Sequence, residues 1–308
     1  MNRAEELEQL ALALRVAGVS VAAPALPDSG HVTVQGLRLH YLDWNGPPGR
    51  VPAVFLHGGG LSAHTWDLVC AALRRDRRCL ALDQRGHGDS DWSSELDYAF
   101  ETQARDLEGF VEQLGLARFA LVGMSMGGIN ALLYAAAHPE RVAALALIDV
   151  GPDVQPAGGR RIAAFVRQTV EADSLDELVA QARAFNPNRD PRLLRRSLQH
   201  AFRRRADGKW VRKNDTRPWR QPGDSAGRLR RYWDLVPRIA CPTLVVRGAR
   251  SDVFHDADAE KLAQALPHGR WARVEDAGHS VQGDNPAGLL EVLRPFLQEH
   301  LGGRASGG

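Results

Sequence analysis

The chain has 308 residues, 44% of them hydrophobic, which is enough to bury the core of one large α/β domain with an inserted lobe. A formal net charge of +2, with 25% of residues charged, argues against nucleic acid or a membrane surface as the partner. No apolar stretch approaches the ~20 residues that span a bilayer.

Residues 1–30 open the chain with Glu5, Glu6 and Glu8 ahead of an apolar stretch, the reverse of a secretory leader. The spacing of Leu7, Leu10 and Leu14 predicts a short amphipathic helix, a packing or dimer-contact element. Cys70, Cys79 and Cys241 are odd in number and lack metal-type spacing, so no disulfide framework is expected and a reducing, cytoplasmic setting is. After a Pro-rich break, HVTVQGLRLHYLDW alternates and turns at Gln35-Gly36, which predicts a hairpin.

From there the pattern becomes short, nearly continuous apolar runs: VPAVFLHGGG, RCLALDQRGHG, FALVGMSMGG, VAALALIDVGP, CPTLVVRGARSD and WARVEDAGHS. Such runs read as strands buried on both faces of a parallel sheet. Helical stretches at 66–73, 99–114 and 129–138 alternate with them, the βαβ signature. Between 152 and 237 the strand rhythm stops, and the stretch reads as helices and loops, a helical cap inserted over one end of the sheet. Ser174 with Glu177 predicts a capping box there, and Asp190-Pro191 a helix start. The predicted core is therefore 31–151 plus 238–301, with 302–308 as a disordered tail.

GMSMG at 123–127 is a G-x-S-x-G sequence between a strand and a helix. A sharp turn there holds Ser125 clear of the sheet at the helix amino terminus, and the flanking glycines make room for crossing backbone. A serine hydroxyl needs a general base, and the base needs an orienting anion. His279, in VEDAGHS, follows a late strand, and Asp252 ends the strand before it, so the order is nucleophile, acid, histidine. In FLHGGG a Gly-rich turn after a strand offers oxyanion donors, Gly59 pairing with Met126 at the helix start. His57 is expected to bond within that turn.

These motifs resemble the α/β-hydrolase superfamily from about residue 31 to 300: HGGG (57–60), DQRGHGDS (83–90), GMSMGG (123–128), the strand-end Asp252 and the GHS histidine. The resemblance implies a mostly parallel sheet with helices on both faces, Ser125 as nucleophile, His279 as base and Asp252 as its partner. Asp149 also ends a strand, and some members of the superfamily draw the acid from that position; the loop before the histidine favours Asp252. Asp83, Arg85 and Asp89 are expected to be structural, and Glu275 and Asp276 to be solvated loop charges.

A serine nucleophile argues against the aspartate-dependent dehalogenase and epoxide hydrolase branches. Hydrolysis of a small carboxylic ester or lactone is the expected reaction. Carbon–carbon bond hydrolysis of a ring-cleavage product and cofactor-free perhydrolase or haloperoxidase chemistry are the alternatives, and a receptor-like binding module is a minor one. Met124 stands where carbon–carbon hydrolases carry Asn before the serine. Gly58, Met124 and Trp233 are the expected substrate contacts. Across 189–234 basic residues outnumber acidic ones about threefold, with Trp210, Trp219, Tyr232 and Trp233 interleaved. They read either as solvated arginines on helix backs or as cations steering an anionic substrate past an aromatic lining. No cofactor or metal is expected, since His57, His64 and His87 lack ligand-like spacing.

Overall fold

The computed structural model describes residues 2–217 and 225–302; the expected tail beyond 302 and Trp219 lie outside the described residues. Helix α1 (Arg3–Val16) starts at Asn2, whose side chain accepts from the Glu5 amide while Glu5 accepts in return from the Asn2 amide. Leu10, Ala13 and Leu14 are its buried stripe, whereas Leu7 is exposed. The hairpin β1 (Asp28–Val34) and β2 (Leu37–Asp43) turns on Gln35 and Gly36, both at positive φ, as a two-residue primed turn demands.

The core follows as β3 (Ala53–Leu56), a 3-10 turn (Ala63–Trp66), α2 (Asp67–Leu73), β4 (Cys79–Leu82), α3 (Phe100–Gln113), β5 (Phe119–Met124), α4 (Met126–Ala137) and β6 (Val142–Ile148). Between β6 and the next sheet strand run α5 (Pro156–Gln168), β7 (Glu171–Ala172), α6 (Leu175–Phe185), α7 (Pro191–Ala201), β8 (Phe202–Arg204), β9 (Trp210–Arg212), α8 (Ser225–Leu229) and a 3-10 stretch (Arg230–Arg238). The sheet resumes with β10 (Thr243–Gly248), α9 (Asp256–Ala265), β11 (Gly269–Val274), α10 (Val281–Asp284) and α11 (Pro286–Leu301).

The eight-stranded sheet has the order β1-β2-β4-β3-β5-β6-β10-β11, antiparallel through β1, β2 and β4 and parallel from β4 to β11. Alternation along β6 shows how both faces are filled. Leu145 and Leu147 enter the apolar cluster under α3, α4 and α9, while Ala144, Ala146 and Ile148 enter the one under α2 and α11. Helix α1 packs against α2 and α7.

The β6–β10 segment departs from the all-helical expectation. β7, β9 and β8 pair as a small antiparallel sheet that closes a third apolar cluster around Leu178, Leu194 and Phe202. Two- and three-residue strands are too short to leave an alternation legible in the sequence. The Ser174 cap is also shifted from the expected box: its Oγ accepts from the Glu177 amide, but Glu177 reaches the Asp173 amide instead.

Chain order places β3 and β5 side by side with their helices leaving in different directions. That point of an open α/β sheet leaves a crevice at the carboxyl ends of the strands. The loops after β3, β5, β6, β10 and β11 all meet there.

Candidate active site

Ser125 occupies the one-residue elbow between β5 and α4 at φ 51°, ψ −118°, a conformation that costs a non-glycine residue backbone strain. A side chain at Gly123 would collide with the Gly127 carbonyl, and one at Gly127 would sit 2.5 Å from the Leu56 carbonyl. The two glycines thus let the elbow close against itself and against β3. The strain holds the hydroxyl out from the sheet at the start of α4.

Three side chains form a continuous hydrogen-bond relay. The Ser125 hydroxyl donates to His279 Nε2 at 3.0 Å, and His279 Nδ1 donates to Asp149 Oδ2 at 2.8 Å. Asp149 is fully buried and itself at positive φ. Its Oδ1 accepts from the Gly248 amide at 2.9 Å, and its Oδ2 also accepts from Ser251 Oγ at 2.5 Å. Burial pushes the Asp149 carboxyl up from the ordinary range, opposed by the hydrogen bonds from His279, Ser251 and Gly248.

The acid expected at Asp252 is therefore corrected: the carboxylate on His279 belongs to Asp149. The sheet register gives the reason. Met124 pairs with Ile148, so the residue after each strand, Ser125 and Asp149, leaves the sheet at the same level on adjacent strands. The β10 loop approaches from the other side and donates the Gly248 amide and Ser251 hydroxyl to Asp149 rather than supplying the acid. Asp252, just beyond, makes a bidentate pair with Arg161 of α5 instead, at 2.8 and 3.1 Å. Burial acts to raise its pKa, and the Arg161 guanidinium holds it below the usual value. The sequence signal for Asp149 was its place at the end of the strand next to that of the nucleophile.

At the helix start the Gly127 amide donates to the His57 carbonyl at 3.1 Å, and those of Gly128 and Ile129 donate to the Ser125 carbonyl at 2.9 and 3.1 Å. The Met126 amide is the first-turn donor beside the serine. On the β3 side the turn 58–60 borders the same space, and a side chain at Gly58 would sit 3.2 Å from Ser125 Cβ. His57 is wholly buried beneath this turn: the Gln84 amide donates to its Nε2 at 3.0 Å, and its Nδ1 donates to the Gly58 carbonyl at 2.9 Å. Burial lowers its pKa and keeps it neutral. The DQRGHGDS loop is held from within. Asp83 accepts from His40 and from the Ala63 and Asp89 amides, and Arg85 pairs with Asp106. Asp276 and Glu275 pair with Arg250 and Arg273.

These groups open into a cavity of about 830 Å³. Gly58, Gly59, Met124 and Met126 line it, as does Asp252. Trp233 is not among its lining residues and is corrected as a substrate contact. The 3-10 stretch carries it down toward α4 and α9, where it packs on the core with Lys261 Nζ 4.5 Å from its ring. The aromatic lining comes instead from Tyr98, Phe100, Phe165 and Phe185. Several arginines of the segment pair with acids, such as Arg231 with Glu101 and Arg205 with Asp207 and Glu171.

Two groups with ligand-type atoms escaped the sequence spacing, each with its donor atoms within 4.8 Å of one another: His40, Asp83 and Asp89, and His64, Asp67 and His200, where α7 brings His200 over the 3-10 turn. Asp67 Oδ2 already bonds His64 at 3.0 Å and Arg196 at 2.6 Å, a cation that competes with any metal there.

A family model described as the alpha/beta hydrolase fold matches residues 52–286. The chain belongs to this family. It is 36% identical over 271 residues to esterase Rv0045c of Mycobacterium tuberculosis, spanning 86% of this chain and 88% of that protein. A crystal structure of that esterase superposes with a TM-score of 0.76 at 33% identity, covering 95% and 98% of the two chains. The mouse sn-1-specific diacylglycerol lipase ABHD11 is 30% identical over 253 residues, 79% and 80% of the two chains. An α/β hydrolase of Novosphingobium aromaticivorans matches with a TM-score of 0.78 at 28% identity, covering 89% of this chain and 99% of that one. No helix among the described residues is long and apolar enough to cross a membrane.

Proposed function

We propose that the protein hydrolyses a small carboxylic ester through an acyl-serine intermediate, with Ser125 as nucleophile, His279 as general base and acid, and Asp149 as the orienting carboxylate. The observation that carries this is the unbroken relay from Ser125 Oγ to His279 Nε2 (3.0 Å) and from His279 Nδ1 to Asp149 (2.8 Å). The printed names of two similar proteins, an esterase and a lipase, support the ester as the scissile group.

His279 Nε2 takes the Ser125 proton as Oγ attacks the ester carbonyl. Asp149 fixes the imidazole tautomer and stabilises the imidazolium that forms. The amides of Met126 and Gly59 receive the oxyanion, as fixed donors that need no reorganisation during the reaction. Collapse breaks the carbon–oxygen bond, and the alcohol leaves with the proton from His279. Water then gives its proton to His279 and its oxygen to the acyl carbon, releasing the carboxylic acid and restoring Ser125. Residues 152–237 act as a cap that encloses this chemistry, and their phenylalanines favour a partly apolar acyl group. Lactones share the same carbonyl chemistry and belong to the same proposal.

The test is a panel of ethyl and p-nitrophenyl esters, lactones and a ring-fission dienoate, with Ser125→Ala as the blank. Ester or lactone turnover that falls about 10³-fold or more in Ser125→Ala is expected. Undiminished turnover in that variant, or turnover of the dienoate alone, would overturn the reading.

A further inference from the structure

Arg212, at the end of β9, is a buried cation with no carboxylate on it among the described residues. It is 7% exposed and lines the cavity that holds Ser125. Its Nε donates to the Thr169 carbonyl at 2.8 Å, its Nη2 to Thr169 Oγ1, and its Nη1 to the Gly60 carbonyl at 3.2 Å. The guanidinium stacks over Phe202, 4.6 Å from the ring centroid. Neutral acceptors and a ring face thus hold it in place without cancelling its charge. Burial alone accounts for its shift, which pushes the guanidinium down to about 10.

Of the other buried arginines, Arg85 meets Asp106, Arg196 meets Asp67 and Arg247 meets Asp256, while Arg77, which also bonds only backbone carbonyls, does not line the cavity. Arg161, which shares the cavity wall, is neutralised by Asp252. Desolvating a cation without a counter-ion is costly, so a site that keeps one gains strongly from an anion brought in by a ligand. A guanidinium with three N–H groups spoken for retains two of its five, the number a carboxylate takes in a bidentate pair.

We propose that Arg212 receives a carboxylate on the acyl part of the substrate, so that the enzyme prefers half-esters of short dicarboxylic acids. This rests on the ester-hydrolase reading above. The short chain follows from the turn at 58–60. Its Gly60 carbonyl bonds Arg212, and its Gly59 amide is the proposed partner of the ester oxyanion, so one turn positions the cation for one end of the acyl group beside the donor for the other. An uncharged ester leaves the buried cation without a partner, and sites built on such pairs discriminate strongly.

The experiment compares monoethyl glutarate with ethyl pentanoate, in which a methyl replaces the carboxylate, by pH-stat titration. Wild type should favour the half-ester at least tenfold in kcat/KM. Arg212→Met should lose about 30-fold or more on the half-ester, chiefly through KM, and less than about threefold on ethyl pentanoate; Arg212→Lys should fall between. Equal losses on both esters would assign Arg212 only to holding the turn, and no preference in wild type would overturn the proposal outright. Binding of glutarate to Ser125→Ala by calorimetry needs no turnover and is expected to weaken about tenfold or more in Ser125→Ala/Arg212→Lys; undiminished binding there sinks the proposal even if Arg212→Met fails to fold. Glutarate binding that depends on Arg212, without turnover of either ester, would keep the carboxylate site and reject the hydrolase reading.

Discussion

The two walls of the cavity hold their charges in opposite ways. On the sheet edge each buried charge is saturated: Asp149 has His279, Ser251 and the Gly248 amide, and Asp83 has His40 and two backbone amides. On the facing segment the charged pairs are mostly exposed, such as Arg205 with Asp207, and the buried Arg212 has none. Saturated groups have one geometry and cannot follow a substrate, which suits a relay that must be in place before the reaction starts. Exposed pairs cost little to rearrange, and an uncompensated cation gains by finding a ligand. In the proposed reaction the chemistry is built on the strand ends and selectivity is left to the segment.

That contrast breaks first, and most visibly, at the two acids. Asp149→Asn should lower kcat about 10³-fold or more, since the amide stabilises the wrong imidazole tautomer, whereas Asp252→Asn should stay within about threefold. Steady-state kinetics on any turned-over ester checks this, and the reverse ranking would return the acid to the β10 loop.

Acid is the next largest effect. Burial lowers the pKa of His57, takes His87 down to about 3 and holds His200 well below its usual value. Each is neutral when folded but protonates near 6.5 when unfolded, so the unfolded chain binds more protons below that pH and stability falls. Between pH 7 and 5.5 this amounts to about 1 kcal/mol for His87, with His57 and His200 acting in the same direction and Asp149, whose pKa is raised, in the opposite one. Asp67 and Asp83, held low, contribute no loss until pH nears about 4. Denaturant midpoints at the two pH values measure it; a flat profile would show those histidines charged in the folded protein.

Smaller effects separate the walls by packing. Gly127→Ala forces a methyl onto the β3 backbone and should cost about 1–3 kcal/mol in thermal or denaturant unfolding. Gly159→Ala, in α5 with open space where its methyl would go, should instead stabilise by about 0.5–1 kcal/mol. A destabilised Gly159→Ala would mean the segment is packed as tightly as the sheet edge.

The hairpin at Gln35-Gly36, the parallel strands, the nucleophile elbow and the glycine turn were all legible in the sequence, because each rests on neighbours in the chain: turn residues at fixed offsets, or an apolar run followed by a glycine cluster. His279 was legible as well, being a histidine directly after a late strand-like run. The small β7-β9-β8 sheet was not, since strands of two or three residues carry too few side chains to show a period.

What the sequence determined by itself is therefore the local part: which residues can turn, which can be nucleophile or base, and which edge of the sheet receives them. Tertiary structure decided the choice between Asp149 and Asp252, the exclusion of Trp233 from the cavity and the burial of Arg212 in it. All three depend on strand order, register and where a connecting segment folds back. A carboxylate orients the imidazole only within hydrogen-bond reach, and that distance is set between β5, β6 and β11, not along the chain.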